Sequence, residues 1–187
     1  MSKLMLLSVL LGWSCGPLFA QEIRNGDFTK GASDWMGDGR LVYLDASDKV
    51  LSQPEAGATP AFQVHLKSSQ WAIVKQNLHP SSKESVVRAR IEIMASPDFQ
   101  PVEKSRTYSP VDFREGGGYV WSAEVFPKCD LLVTVKDSTY YYRLFSLQPP
   151  GSWKTFTVDF QNLTSRSRCF SLAFPPGTGT LWIKRIQ

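Results

Sequence analysis

The hydrophobic and polar residues of this chain alternate along many short stretches. The clearest stretch, residues 86–95, has Val87, Ala89, Ile91, Ile93 and Ala95 on one side and Arg88, Arg90 and Glu92 on the other. Successive side chains of a β-strand point to opposite faces of a sheet. The stretch therefore predicts a strand with one face in a hydrophobic core and the other face in water.

Similar stretches recur between residues 41 and 186, separated by turn residues. They include 61–66, 71–78, 131–136, 140–147 and 153–160. We find no segment with the three-turn periodicity of an amphipathic helix. About eight or nine short strands of this kind indicate an all-β fold, and we predict an antiparallel jelly-roll β-sandwich.

One segment interrupts the pattern. Residues 96–118 are polar and irregular, with Pro97, Pro101 and Pro110 ahead of the glycine triplet 116–118. A connection of this length inside a small domain usually has a function or is mobile. Tyr119 and Trp121 follow the triplet, where a ligand would be able to approach the backbone closely.

The first twenty residues differ from the rest of the chain. Lys3 precedes an apolar run at 4–11, and Ala20 precedes Gln21. This is the layout of a secretory signal peptide, and the run is too short to span a bilayer. We expect cleavage after Ala20 and a protein that is secreted or periplasmic. The remaining residues 21–187 are expected to form a single domain, a monomer that does not insert into a membrane.

The net charge bears on whether the protein binds a nucleic acid, and the cysteine content bears on whether it forms a disulfide. The formal net charge is +4, and no run of basic residues concentrates it, so a nucleic acid is not a predicted partner. Cys129 and Cys169 follow the predicted cleavage site. In an oxidising compartment they would be able to form one disulfide, and they would equally fit as small buried residues on separate strands.

Residues 25–35 begin Asn-Gly-Asp-Phe-Thr-Lys-Gly and close on Trp35. The Asn-Gly and Lys-Gly pairs supply turn residues that tolerate positive φ, and Phe28 and Trp35 are large apolar anchors beside the turn. This opening resembles the start of the galactose-binding-like β-sandwiches, which include several secreted carbohydrate-binding-module families. The resemblance extends more loosely over the rest of 21–187, and it implies a sandwich that binds a polysaccharide or another glycan.

The resemblance also implies a structural calcium ion, held by oxygen atoms of the N-terminal turn and of an acidic pair in the last strand. Asn25 and Asp27 match the turn. Lys184 and Arg185 stand where the acidic pair is implied. Because two cations would repel the ion, we predict no cofactor.

Catalytic motifs are missing from the sequence. It contains no phosphate-binding loop, nucleophile elbow or His-Glu-x-x-His motif. The two histidines, His65 and His79, fit surface or turn positions better than the position of a catalytic base. Carboxylate pairs such as Asp112 with Glu115 are expected by chance among 17 acidic residues. We therefore predict a protein that is not an enzyme, with no catalytic residues.

Aromatic side chains on polar strand faces or in loops are the better candidates for function. Sugars are held by aromatic faces, while neighbouring polar groups bind the hydroxyls. The predicted ligand-binding residues are Trp71, Asp112, Arg114, Tyr119, Tyr140 and Tyr142. Each aromatic residue among them also has a reading as part of the core.

Three functions remain open at this point. The first is a secreted, non-catalytic module that binds a polysaccharide or glycan through exposed aromatic residues. The second is a structural or adhesive sandwich that acts through protein contacts at the cell surface. The third is a small jelly-roll lyase or hydrolase, in which a tyrosine would carry the proton. We favour the first, because export, the sandwich pattern and the aromatic residues on polar faces agree with it.

Overall fold

A computed structural model describes residues 23–78, 86–101, 130–136, 140–161, 163 and 168–187. The described residues form strands and turns. The strands are β1 Met36–Gly37, β2 Arg40–Leu44, β3 Val50–Leu51, β4 Thr59–His65, β5 Ala72–Leu78, β6 Val87–Ala95, β7 Gln100–Pro101, β8 Leu131–Lys136, β9 Tyr140–Phe145, β10 Trp153–Phe160, β11 Arg168–Phe174, β12 Gly177–Thr178 and β13 Thr180–Ile186. Within these ranges, no helix is long and apolar enough to cross a membrane.

Two main sheets make up the fold. One has five strands in the order β1-β5-β11-β8-β9, and the other has six in the order β10-β6-β13-β4-β2-β3. Strands β12 and β7 form a short separate pair. All of these strand pairs are antiparallel. The predicted all-β antiparallel sandwich is confirmed.

The core lies between the two sheets, where the alternation of the sequence placed it. Strand β6 buries every second residue, from Val87 to Ala95, and β5 buries Ala72, Val74 and Leu78. Aromatic rings from both sheets fill the same cluster, among them Phe62, Phe160, Phe170 and Phe174. The two sheets therefore share one hydrophobic core across the described residues.

The N-terminal turn is fastened to the last strand. The Ile186 amide donates to the Gly26 carbonyl at 2.7 Å, and a Cβ at Gly26 would collide with the Ile186 carbonyl. Glycine is therefore needed at position 26 for this close approach, while the positive φ values fall on Asn25 (46°), Phe28 (58°) and Gly31 (74°). The Asn25 side chain bridges the turn by donating to the Gly31 carbonyl at 2.7 Å.

Phe28 and Trp35 are the core anchors that the sequence predicted. Phe28 is 1% exposed and stacks on Phe62 with ring centroids 5.6 Å apart. Trp35 is buried beside it, and its indole Nε1 donates to the Asn25 carbonyl at 3.1 Å. The turn residues and the two anchors thus hold each other in place at the edge of the core.

Candidate functional site

The outer face of the five-stranded sheet carries two parallel rows of side chains, set by the strand register. We call this surface the five-stranded face. The first row runs through Ile73, Ala173, Leu132 and Leu144, and the second through Met36, Lys75, Ser171, Thr134 and Tyr142. With neighbouring strands about 4.8 Å apart, five strands give the second row a length of roughly 19 Å.

The first row is apolar. Leu132 and Ala173 are buried at its centre, and the partly buried side chains of Trp71 and Ile73 pack against them. Trp71 directly precedes β5, after a tight turn in which residues 67 and 70 form a bridge. Leu144 lies at the other end of the row and is 40% exposed. An indole at one side and an exposed leucine at the other therefore border an apolar strip.

The second row is polar at its centre. The Thr134 and Ser171 hydroxyls are hydrogen-bonded across β8 and β11 at 2.5 Å. Lys75 is exposed on the β5 side of this pair, and Tyr142 is 37% exposed on the β9 side. Hydrogen-bonding groups therefore lie directly beside the apolar strip.

Exposed apolar side chains are concentrated on this face. Four large hydrophobic residues of the described chain are exposed, and three of them, Met36, Tyr142 and Leu144, lie on the five-stranded face. The fourth, Val50, belongs to the edge strand β3 of the other sheet. Since isolated exposed hydrophobics need no explanation and grouped ones do, the face is the best candidate for a ligand surface.

The structure brings part of the predicted ligand set together. Trp71 and Tyr142, which are 71 residues apart in the chain, both reach the five-stranded face. Tyr140 begins β9 opposite Lys136, and its side chain is outside the described part of the structure. Asp112, Arg114 and Tyr119 also lie outside the described residues. Their assignment to the ligand site remains a prediction.

The face also contains residues that the sequence reading did not select. Met36 belongs to a two-residue strand, which has no period that a sequence pattern would detect. Leu144 and Lys75 are placed on the face by alternation with Tyr142 and Trp71. Alternation alone would have identified them, but the search for aromatic residues passed over them.

Cys169 has a free, half-buried thiol in this structure. Its Sγ donates to the Phe170 carbonyl at 3.8 Å. Burial raises the pKa of the thiol, and the positive charges of Lys75 and Lys136 oppose that rise. Cys129 lies outside the described residues, so the disulfide between the two remains a prediction.

The N-terminal turn does not fit the calcium ion that the resemblance implied. The Asn25 amide is used at both ends, since its Oδ1 accepts from the Lys30 amide at 2.9 Å while its Nδ2 donates within the turn. Asp27 accepts from the Thr29 amide and hydroxyl, which holds the pKa of its carboxyl below the ordinary value, and the charge of Arg185 adds to the effect. Asn25 Oδ1 and Asp27 Oδ1, two of the oxygen atoms expected to bind the ion, therefore hold the turn together.

No group of three or more metal-binding side chains occurs among the residues that the structure describes. A cavity of about 450 Å³ does lie beside the N-terminal turn, lined by Ile23, Arg24, Asn25, Lys30 and Asp34. With two cations, one carboxylate (Asp34) and an Asn25 amide already hydrogen-bonded within the turn, the lining side chains supply fewer oxygen ligands than Ca²⁺ takes.

Trp153 and Trp182 lie on the outer face of the other sheet. The register aligns them on either side of Met94. Both pack on the buried cluster of Val42, Leu44 and Ala61. The Lys184 ammonium sits 4.2 Å from the centre of the Trp153 ring and 3.3 Å from a carboxylate oxygen of Asp48. The two indoles therefore cover part of the outer face of this sheet.

His65 has a structural contact at the end of β4. Its Nδ1 lies 2.9 Å from the Thr180 hydroxyl on the neighbouring strand β13. The side chain is exposed, which agrees with the surface position predicted for it. His79 lies outside the described residues.

Comparison with known proteins finds similarity in structure. No family model and no curated protein matches the chain. TmCBM61, solved in complex with β-1,4-galactotriose, is 12% identical with a TM-score of 0.49, over 88% of this chain and 94% of that one. The xylan-binding domain CBM22-1 of Paenibacillus barcinonensis Xyn10C is 13% identical with a TM-score of 0.46, over 85% of each chain.

A third similar structure comes from a different kind of protein. It is the enzymatically active domain of the bacteriophage CBA120 tailspike protein 4, with 9% identity and a TM-score of 0.49. The match covers 88% of this chain and only 20% of the tailspike chain.

The predicted likeness to carbohydrate-binding modules is thus found among solved structures. At these identities and TM-scores it concerns the fold and does not extend to a ligand.

Proposed function

We propose that this protein is exported and binds a polysaccharide on its five-stranded face without cleaving it. The observation that carries the proposal is the position of Trp71 and Tyr142. The two aromatic side chains border one sheet face that also holds three of the four exposed large hydrophobics of the described chain.

The two rows suit the two kinds of surface that a sugar presents. Sugar rings offer apolar C–H faces, which pack on aromatic and aliphatic side chains, and hydroxyls at the ring edges, which need hydrogen bonds. The strip between Trp71 and Leu144 supplies the first kind of contact. Lys75 and Ser171 supply polar groups in the adjacent row, and the buried Thr134 is hydrogen-bonded to Ser171. Because the rows cross the whole sheet, a ligand of several sugar units fits them better than a monosaccharide.

A non-catalytic role is supported by how the carboxylate at the edge of these rows is used. Asp38 Oδ2 accepts from the Ile73 amide at 3.0 Å, and its Oδ1 is paired with Lys67 at 3.0 Å. Both oxygens are therefore engaged in holding β1 and the 67–70 turn beside β5. Neither oxygen is left free to take part in glycosidic cleavage, which needs two available carboxyl groups.

Adhesion to a protein is the second candidate, favoured by the aliphatic part of the face. Met36 and Leu144 are 43% and 40% exposed. Exposed aliphatic side chains on a flat sheet also suit a protein partner. The two candidate functions predict different effects of substitutions on binding. Binding of a sugar depends on the aromatic residues, and binding of a protein partner depends also on the aliphatic ones.

Affinity electrophoresis of residues 21–187 in gels containing neutral and acidic polysaccharides tests the proposal. Trp71→Ala and Tyr142→Ala should each weaken retardation about tenfold, since an aromatic contact contributes roughly 0.5–1.5 kcal/mol beyond its buried area. Trp182→Ala is the matched control, because it removes an indole from the opposite sheet.

The outcomes of this experiment are distinct. Thermal melts must show that the Trp71 and Tyr142 variants remain folded, so that a loss of retardation reports on binding. Retardation that is absent on every polysaccharide, or that falls equally in Trp71→Ala and Trp182→Ala, would contradict a glycan site on the five-stranded face. If the domain instead captured a protein, and this capture depended on Met36 and Leu144, the result would support adhesion.

A further inference from the structure

We propose that the polysaccharide bound on the five-stranded face is acidic, and that Lys75 forms an ion pair with its carboxylate or sulfate groups. The inference rests on the proposed function, because it assigns a ligand class to the same surface. It comes from the charges that the strand register places among the two rows.

Lys75 is the residue that β5 contributes to the second, polar row. The register places it opposite Met36 on one neighbouring strand and Ser171 on the other. Its side chain is exposed, and none of the ion pairs of the described residues includes it. The ammonium is therefore available to a ligand lying along the row, next to the Ser171–Thr134 hydroxyl pair.

A second lysine adds positive charge to the same face. Lys136 pairs with Cys169 on β11, two residues from the position that pairs with Lys75. The charges of both lysines act on the Cys169 thiol, which shows that both lie close to that strand. Asp38, which follows β1 at the edge of the face, is already paired with Lys67. Among the described ion pairs, no carboxylate of the face is therefore paired with Lys75.

The six-stranded sheet shows a different arrangement of charges. On its outer face Lys184 is paired with Asp48 at 3.3 Å, and Arg88 with Asp159 at 2.9 Å. Carboxylates therefore pair with two of the cations on that face. Lys75, between Met36 and Ser171, belongs to none of the ion pairs of the described residues, and a ligand with anionic groups would complement it.

Pairs of polysaccharides that share a backbone and differ in charge test the inference. Suitable probes are hydroxyethylcellulose against carboxymethylcellulose, methyl-esterified against de-esterified homogalacturonan, and dextran against dextran sulfate. The wild type should bind the acidic member of at least one pair more tightly, and the preference should shrink at 1 M salt, where charges are screened within about 3 Å. Lys75→Gln should lower affinity for that member about two- to fivefold, as expected for one exposed ion pair, and leave the neutral member unchanged.

Lys49→Gln is the matched control. It removes the same charge from an exposed loop position that precedes β3 in the other sheet. An equal loss in Lys75→Gln and Lys49→Gln would mean that net charge acts alone, and it would overturn the inference. Equal binding of the neutral and acidic members, abolished by Trp71→Ala, would overturn the inference while the proposed function holds. Failure of every probe to bind would overturn both.

Discussion

Replacing the buried Gly26 by alanine should destabilise the protein more than the same change at Gly57, which lies in an exposed turn. The added Cβ would collide with the backbone carbonyl of Ile186. That carbonyl belongs to β13, which is held between β6 and β4. Since neither backbone can yield cheaply, the turn and the last strand would have to separate.

Two effects of Gly26→Ala lower the free energy of unfolding. Forcing extra volume into a packed site costs about 1–3 kcal/mol, and loss of the bond from the Ile186 amide to the Gly26 carbonyl costs roughly another 1 kcal/mol. We expect a total loss of about 3 kcal/mol in the free energy of unfolding. At a typical urea m-value of about 2 kcal/mol/M this lowers the midpoint by roughly 1.5 M.

Gly57→Ala is the control for this measurement. Gly57 has a φ of 83° and no neighbouring atom within 4 Å of the added Cβ, so it reports the backbone cost alone. That cost is about 1–2 kcal/mol. Urea unfolding of both variants, followed by tryptophan fluorescence, gives the comparison. A loss in Gly26→Ala no larger than in Gly57→Ala would refute the steric reasoning.

Two further predictions concern charged groups outside the candidate site. Asp130 is buried, and its Oδ2 accepts from the Leu147 amide and the Ser146 hydroxyl, both at 2.8 Å. In urea unfolding, Asp130→Ala should therefore lower the free energy of unfolding by about 1–3 kcal/mol, and Asp130→Asn by clearly less. Equal losses in the two variants would contradict the acceptor role. The hydrogen bond from Arg88 holds the pKa of Asp159 below its ordinary value, so the pair stabilises the fold above about pH 4 and loses this contribution as the pH falls through the lowered pKa. The urea midpoints of wild type and Arg88→Gln should therefore differ at about pH 6, and the difference should narrow as the pH is lowered below about 4. A gap that stays constant with pH would argue against the pair.

The periodicity of the sequence was sufficient to predict the long strands. Residues 131–136 and 153–160 form β8 and β10 with the predicted bounds, and the inward side of β6 is the predicted one. The four two-residue strands were missed, because two residues carry no alternation. Gln76 was missed as a buried residue, since it is buried by its hydrogen bonds to Arg24 and Asp34 rather than by hydrophobicity.

The composition of the candidate site was only partly predictable. Alternation placed Trp71 on a polar face, and it showed that residues 140–142 present tyrosine to both sides. It did not show that β5 and β9 belong to the same sheet with β11 and β8 between them. Strand order depends on contacts between distant segments, and a single sequence does not encode them as a local pattern. Met36, on the edge strand β1, joined the site only through that order.

The bond between Gly26 and Ile186 also has a consequence for folding during synthesis. It joins residues that are 160 positions apart, and β4 and β5 likewise pair with β13 and β11, which are synthesised much later. A chain emerging from the ribosome therefore exposes Phe28 and Trp35 until nearly all of it has been made. Native pairs so distant in sequence close slowly, and in the meantime the two rings are open to aggregation or to chaperones.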